Sequence, residues 1–169
     1  AQYAAAAGYS TLLIERGEIG GQTSANSSKL IHGGLRYLET GQINLVRKSL
    51  LERRHLLNLA PTLVKAVPFY IPVYDNSQRS PWTIRAGLSM YALLSEFDPL
   101  GQFVSVPAVH WHRFKGLKLN GLKAVFQYWD AQTDDKLLTQ AVARSAQALG
   151  AEVYAEAEFL ELEHKREAC

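Results

Sequence analysis

The sequence predicts an α/β fold, and three observations carry that prediction. An alanine-rich helix that ends in glycine and runs into an apolar strand occurs twice, once around Ala4, Gly8 and Leu12 and again around Ala143, Gly150 and Val153. The first of these strands, at 10–14, closes on an acid, Glu15, and opens into a Gly-rich loop at 17–21. Between the two repeats lies a long stretch with a different rhythm, from 40 to 130, which reads as an insertion into a sheet with crossover helices.

The elements follow in order. The chain has no initiator methionine and begins on Ala1-Gln2-Tyr3-Ala4-Ala5-Ala6-Ala7, strong helix formers with Gly8 where a helix stops. Residues 1–7 are therefore expected to be the back half of a helix, with its start and the preceding strand lying ahead of Ala1. Residues 42–60 switch to helical spacing, with Ile43, Val46, Leu50, Leu57 and Ala60 on one broad face and Pro61 at the end. The other face is read as carrying Arg47, Lys48, Arg53 and Arg54. It could touch anionic lipid, although a solvated face with Glu52 interleaved is the simpler expectation. Residues 67–74 alternate apolar and aromatic types around Pro68 and Pro72, which predicts an edge strand, because proline cannot donate to a central ladder. Pro81 suits the first turn of a helix over 82–97. Residues 99–122 read as irregular. A short strand is expected at 124–129, then a helix at 136–149 capped by Asp134 and Asp135 and closed by Gly150, then a strand at 151–155.

Composition narrows the function classes. With 169 residues, 47% apolar and 20% charged, the chain is long enough for an ordinary core and reads as globular. A net charge of +2 gives no indication of nucleic acid, which calls for a clustered basic face. Cys169 is the only cysteine, so an intrachain disulfide or thiolate metal cluster is excluded and a reducing compartment is expected. No uncharged run, the apolar one at 86–95 included, reaches the roughly twenty residues of a membrane span. The expected location is cytoplasmic, soluble or peripheral on the inner face of the membrane.

The densest functional segment is Thr-Ser-Ala-Asn-Ser-Ser-Lys-Leu-Ile-His-Gly-Gly-Leu-Arg-Tyr-Leu-Glu, residues 23–39. Thr23, Ser24, Ser27 and Ser28 supply hydroxyls and Lys29 a point charge, a set that can hold a pyrophosphate or a flavin edge or can simply cap helices. Gly33 and Gly34 permit backbone to approach a flat ligand or to turn. Arg36 is the residue type for phosphate or carboxylate, with Tyr37 as a second donor, while a pair between Arg36 and Glu39 is the structural alternative. Glu15 stands where a dinucleotide-binding βαβ unit places its ribose-binding acid, in which case the Gly-rich phosphate turn lies ahead of Ala1. His110 and His112 could pair as metal ligands on an extended segment, but without a third partner no metal is expected.

LIERG at 13–17, KLIHGGLRYLE at 29–39 with TSANSS before it, LLERRHLLNLAP at 50–61, VPFYIPVYD at 67–75, PWTIRAGLSMYALL at 81–94 and YWDAQTDDKLL at 128–138 span nearly the whole chain. Together they resemble the FAD-dependent glycerol-3-phosphate dehydrogenases, the aerobic respiratory family of the D-amino-acid-oxidase-like flavoproteins. Only 99–122 matches poorly. The resemblance implies a partial Rossmann-like FAD-binding domain at 1–40 and 124–169, lacking its first strand and GxGxxG turn. An inserted helical and β excursion at 41–123 would pack on the FAD and substrate side.

It further implies that Glu15 binds the FAD ribose. Thr23, Ser24, Ser27, Ser28, Lys29, Leu30, His32 and Gly33 would lie along the pyrophosphate and isoalloxazine ring. Arg36 and Tyr37 would hold the phosphate of sn-glycerol 3-phosphate, whose oxidation gives dihydroxyacetone phosphate with electrons passed to a membrane quinone. His32 is the residue type for a base, though a flavin-contacting role fits its context better. An oxidase using oxygen and a non-catalytic FAD-binding or nucleotide-binding module remain the alternatives, and a homodimer remains open. The piece itself is expected to be inactive.

Overall fold

The computed structural model describes residues 1–96 and 98–162. Cys169 and Phe97, the expected last residue of the 82–97 helix, lie outside the described residues. In chain order the elements are α1 (Gln2–Ala6), β1 (Leu12–Ile14), β2 (Leu30–Ile31), α2 (Ile43–Leu59), β3 (Val64–Tyr74), α3 (Pro81–Leu94), β4 (Phe103–Ser105), β5 (Leu122–Thr133), α4 (Asp135–Ala148) and β6 (Glu152–Tyr154). Short 3-10 helices occupy Leu35–Thr40, Pro99–Gly101 and Ala108–Arg113. The chain forms two compact units, Ala1–Ser28 with the chain from Asp134 onward, and Lys29–Thr133.

In the first unit β1 and β6 pair in parallel, Leu12 against Glu152, Leu13 against Val153 and Ile14 against Tyr154. Parallel neighbours need a crossover, and α4 supplies it immediately before β6. Asp134 caps α4 by accepting from the amides of Lys136 at 3.0 Å and Leu137 at 3.2 Å. Gly150 follows the helix with φ +94°, a conformation that residues with a Cβ adopt only with strain. Ala5, Ala146 and Ala151 form the core here, and their small side chains let α1 approach α4 closely enough for Gln2 Nε2 to donate to Ser145 Oγ at 2.8 Å.

The second unit is built on β5. β3 runs antiparallel along its whole length, from Val64 opposite Thr133 to Tyr74 opposite Leu122. The other edge of β5 takes two short strands, β4 opposite 126–128 and β2 opposite 131–132. β3 pairs only with β5 among the described residues, so Pro68 and Pro72 sit on an edge strand, as the sequence predicts. α2 and α3 cover one face of the sheet. Val46, Leu50 and Tyr91 form one buried cluster, and Val73, Leu88 and Phe126 a second. Each fully buried aliphatic side chain contributes about 1.5–3 kcal/mol. Ser80 caps α3 by accepting from Thr83 N at 3.1 Å, with Pro81 at its first position.

The division between units falls at 28/29 and 133/134, whereas the sequence divides at 40/41 and 123/124. The physical reason is β5. It continues through Trp129, Asp130 and Ala131 to pair with β2 and β3, which ties Lys29 and the segment after it to the inserted sheet. The region 99–122 is likewise more ordered than expected. Its β4 joins the sheet edge, and Trp111 anchors its second 3-10 helix by donating to Val106 O at 3.0 Å.

Candidate functional site

β2 leaves the sheet at Ile31, and the residues after it form a wall of a cleft of about 700 Å³ within the second unit. Leu30, His32, Gly34, Arg36, Tyr37, Phe69, Tyr128 and Asp130 line it. The wall is shaped by its two glycines. Gly33 is buried so tightly that a Cβ there would lie 2.1 Å from Tyr91 Oη and 2.5 Å from Leu50 Cδ2. Gly34 adopts φ 76° and ψ 37°, a left-handed conformation that glycine tolerates best. It thereby starts the 3-10 helix that carries Arg36 and Tyr37, whose amide donates to Gly34 O at 2.8 Å. His32, Arg36 and Tyr37 are exposed along this wall, and the opposite side is aromatic.

Beneath the wall lies a buried polar network. Asp130 stands in the same alternating row of β5 as Phe126 and Tyr128, a position where an apolar residue is the usual choice. Arg53 on α2 reaches it, Nη1 to Oδ1 at 2.9 Å, with side-chain exposures of 3% and 4%. The same guanidinium donates to Trp129 O at 3.0 Å and Tyr91 Oη at 3.2 Å. Asp130 Oδ1 also accepts from the Gly33 amide at 3.1 Å. Burial raises the Asp130 carboxyl above its ordinary value, opposed by the hydrogen bond and charge of Arg53, the Gly33 amide and the charge of His32. Burial and the charge of Asp130 push the Tyr128 phenol up to about 12, and the same causes raise Tyr91.

Glu15, Thr23, Ser24, Ser27 and Ser28 belong to the first unit, while Lys29, Leu30, His32 and Gly33 belong to the second. Glu15 follows β1 directly. Its Oε1 accepts from the Gly17 amide at 2.9 Å, and the residue lines a largely apolar crevice of about 400 Å³ with Leu13, Ile19, Gly20 and Leu138. Thr23 O accepts from Asn26 N at 3.1 Å in a turn. Ser27 donates to Asp135 on α4, and Ser24 Oγ lies 3.4 Å from Thr139 Oγ1 on the same helix. Ser28 is exposed, and Lys29 adopts φ 62°.

Three expectations are corrected. Arg53 does not belong to a free basic face of α2. It lies three residues after Leu50 and seven after Val46, which places it on the buried stripe of the helix. Arg47 pairs with Glu96 at 3.0 Å, and Arg54 Nε pairs with Asp98 at 2.6 Å, so little of the basic face is left for lipid. Glu39 is bonded by Arg79, with Nη2 to Oε2 at 2.6 Å, rather than by Arg36. That hydrogen bond holds the Glu39 carboxyl below its ordinary value. His110 and His112 lie on a 3-10 helix rather than an extended segment, so residues two apart do not share a side. No group of three metal-ligating residues occurs among the described residues.

Asp130 and Arg53 are the site-bordering residues that sequence reasoning missed. Their signal was periodicity: an acid on the inward row of a strand and a cation on the apolar stripe of a helix.

An acid closing a parallel strand in one unit and an aromatic cleft behind a Gly-Gly turn in the other are features of a flavin-binding α/β protein. The chain belongs to the FAD dependent oxidoreductase family, which matches residues 1–169. It is 45% identical over 148 residues to a glycerol-3-phosphate dehydrogenase of Synechocystis sp., covering 85% of this chain and 26% of that protein. A glycerol-3-phosphate dehydrogenase of Pseudomonas aeruginosa is 42% identical over 154 residues, covering 89% of this chain and 28% of its own length. This chain therefore spans little more than a quarter of these curated relatives. Among solved structures, the glycerol-3-phosphate dehydrogenase from Bacillus halodurans complexed with FAD shares the fold. Its TM-score is 0.59 at 20% identity, covering 98% of this chain and 25% of that one. The family resemblance and the α/β architecture expected from sequence are thus borne out.

Proposed function

We propose that the whole protein oxidises sn-glycerol 3-phosphate to dihydroxyacetone phosphate with FAD, passing the electrons to a membrane quinone. The observation that carries this reading is the cleft of the second unit, which gathers His32, Arg36 and Tyr37 against an aromatic wall. The similarity to glycerol-3-phosphate dehydrogenases supports it over nearly the full chain.

The residues fit the cofactor. A carboxylate that can accept from a ribose diol, at the carboxyl end of a parallel strand and beside an apolar crevice that would take adenine, is the arrangement a dinucleotide calls for. Glu15 would accept from the ribose. Thr23, Ser24, Ser27, Ser28 and Lys29 would border the pyrophosphate, though Ser24 and Ser27 already contact α4. Leu30, His32 and Gly33 would border the ring. Bound FAD supplies the acceptor for the two electrons and the hydrogen that leave C2 of the substrate.

The chain's own residues bind and orient. With Glu39 bonded by Arg79, the exposed Arg36 guanidinium is the cation of this wall available to a phosphate, and Tyr37 adds an O–H donor beside it. His32, which lines the cleft, would pack on the flavin, and a base role, taking the C2 hydroxyl proton on its imidazole, is the alternative. No helix among the described residues is long and apolar enough to cross a membrane. Access to quinone is proposed to come from peripheral attachment to the inner face of the cytoplasmic membrane.

The test is anaerobic mixing of the purified whole protein with glycerol 3-phosphate. Bleaching of the flavin absorbance, with turnover restored by a quinone analogue, is expected. Turnover only with oxygen and with peroxide formed would select an oxidase. FAD binding with no bleaching would leave only a flavin-binding module and overturn the proposal.

A further inference from the structure

We propose that Asp130, held by Arg53, is a positioning residue for the cleft: its carboxylate fixes the Gly33 amide and so sets where His32 on one side, and Arg36 with Tyr37 on the other, face the ligand. This rests on the reading that the cleft takes the substrate, and it adds to that reading a role for Asp130 and Arg53 exerted through the Gly33 main chain.

The geometry has two parts. Asp130 Oδ1 is shared between Arg53 Nη1 at 2.9 Å and Gly33 N at 3.1 Å. An ion pair serving the core alone has no need of the second bond. A hydrophobic pair of similar volume would commonly hold such a core as well or better, since both charges lose their water on burial. Such a pair could not accept from a main-chain N–H. Gly33 is meanwhile clamped from three elements: Leu50 of α2 and Tyr91 of α3 leave no room for a Cβ, and Asp130 of β5 holds its amide. Tyr91 is itself fixed by Arg53 at 3.2 Å. The residue before Gly33 is His32, and the residue after it is the left-handed Gly34 that launches the turn bearing Arg36 and Tyr37. A shift at Gly33 therefore moves both sides of the wall together.

Breaking the pair by a single substitution would leave a buried charge and obscure the result. Two double variants of the whole protein avoid this, Arg53→Met with Asp130→Asn and Arg53→Met with Asp130→Leu. Both remove both charges, but only the asparagine retains an acceptor for Gly33. The leucine variant is expected to exchange the amides of 30–37 at least ~10-fold faster than the asparagine variant. Its kcat/KM for glycerol 3-phosphate should fall ~10-fold to 100-fold below it, because small misplacements of oriented groups cost that much. Urea midpoints of the two should stay close. A merely structural role predicts equal exchange and equal kcat/KM in two equally stable variants, and that result would overturn the proposal. If neither variant folds, the Gly33 amide of the unaltered protein decides: strong protection upholds the bond, and exchange at the rate of an open loop removes it. A whole protein with no turnover of glycerol 3-phosphate would sink the functional reading, while the exchange comparison would still decide the positioning role.

Discussion

Replacing Gly33 by alanine tests the clamp at its tightest point. The added methyl would lie 2.1 Å from Tyr91 Oη, 2.5 Å from Leu50 Cδ2 and 2.7 Å from Tyr91 Cζ, where carbon contacts ordinarily settle at about 3.5–4.0 Å. Neither neighbour can yield freely. Tyr91 has no exposed surface and accepts from Arg53 at 3.2 Å, and Leu50 is 3% exposed within the same cluster. Overpacking of a filled core costs about 1–3 kcal/mol, and losing a hydrogen bond to a charged group costs about 1.5–3 kcal/mol. Together these give about 2.5–6 kcal/mol. Urea unfolding of the whole protein reads the difference as a lower midpoint. Tyr91→Phe removes the closest atom, so the double variant should recover roughly 0.5–3 kcal/mol relative to the sum of the singles. A Gly33→Ala protein within about 0.5 kcal/mol of its parent, the range of an ordinary surface change, would refute the clamp.

Two further outcomes follow from the same geometry. Asp134→Ala removes the cap of α4 and should cost about 1 kcal/mol, within the ~0.5–2 kcal/mol span for such caps, whereas Asp134→Asn should recover most of it in urea unfolding. Tyr128 should be among the last tyrosines to ionise. Its phenol is raised to about 12 by burial and by the charge of Asp130, against the opposing charge of Arg53. The neutral phenol is thus favoured in the fold, so the stability it contributes is fully present below the ordinary tyrosine value of about 10 and is lost as pH rises through about 12. An absorbance titration of Tyr128→Phe against the parent shows which step disappears; loss of a step near the ordinary value would contradict the burial.

What the sequence made legible was whatever repeats long enough to leave a period. α2 and α4 show a helical face and end signals, and α3 begins where Pro81 requires. β2 and β4 span two and three residues, too few for any alternation to register, and they exist only because β5 offers a free edge. β5 itself ran longer than expected because Asp130 disrupts the apolar pattern. That residue reads as the end of a strand until Arg53 is known to reach it. In sequence Arg53 reads as solvated because Arg54, Lys48 and Arg47 near it are polar. Its spacing from Val46 and Leu50 says otherwise, and a charge on a buried stripe implies a buried partner. The site residues His32, Arg36 and Tyr37 were legible as residue types, and the structure adds that they border one cleft.

The most direct test of the central claim is the KM of the whole protein for glycerol 3-phosphate after Arg36→Ala. Loss of a charge-assisted bond to phosphate is worth about 1.5–3 kcal/mol, so KM should rise roughly 10-fold to 150-fold while kcat changes less. An unchanged KM would show that the phosphate is held elsewhere and would contradict the assignment of this cleft as the substrate site.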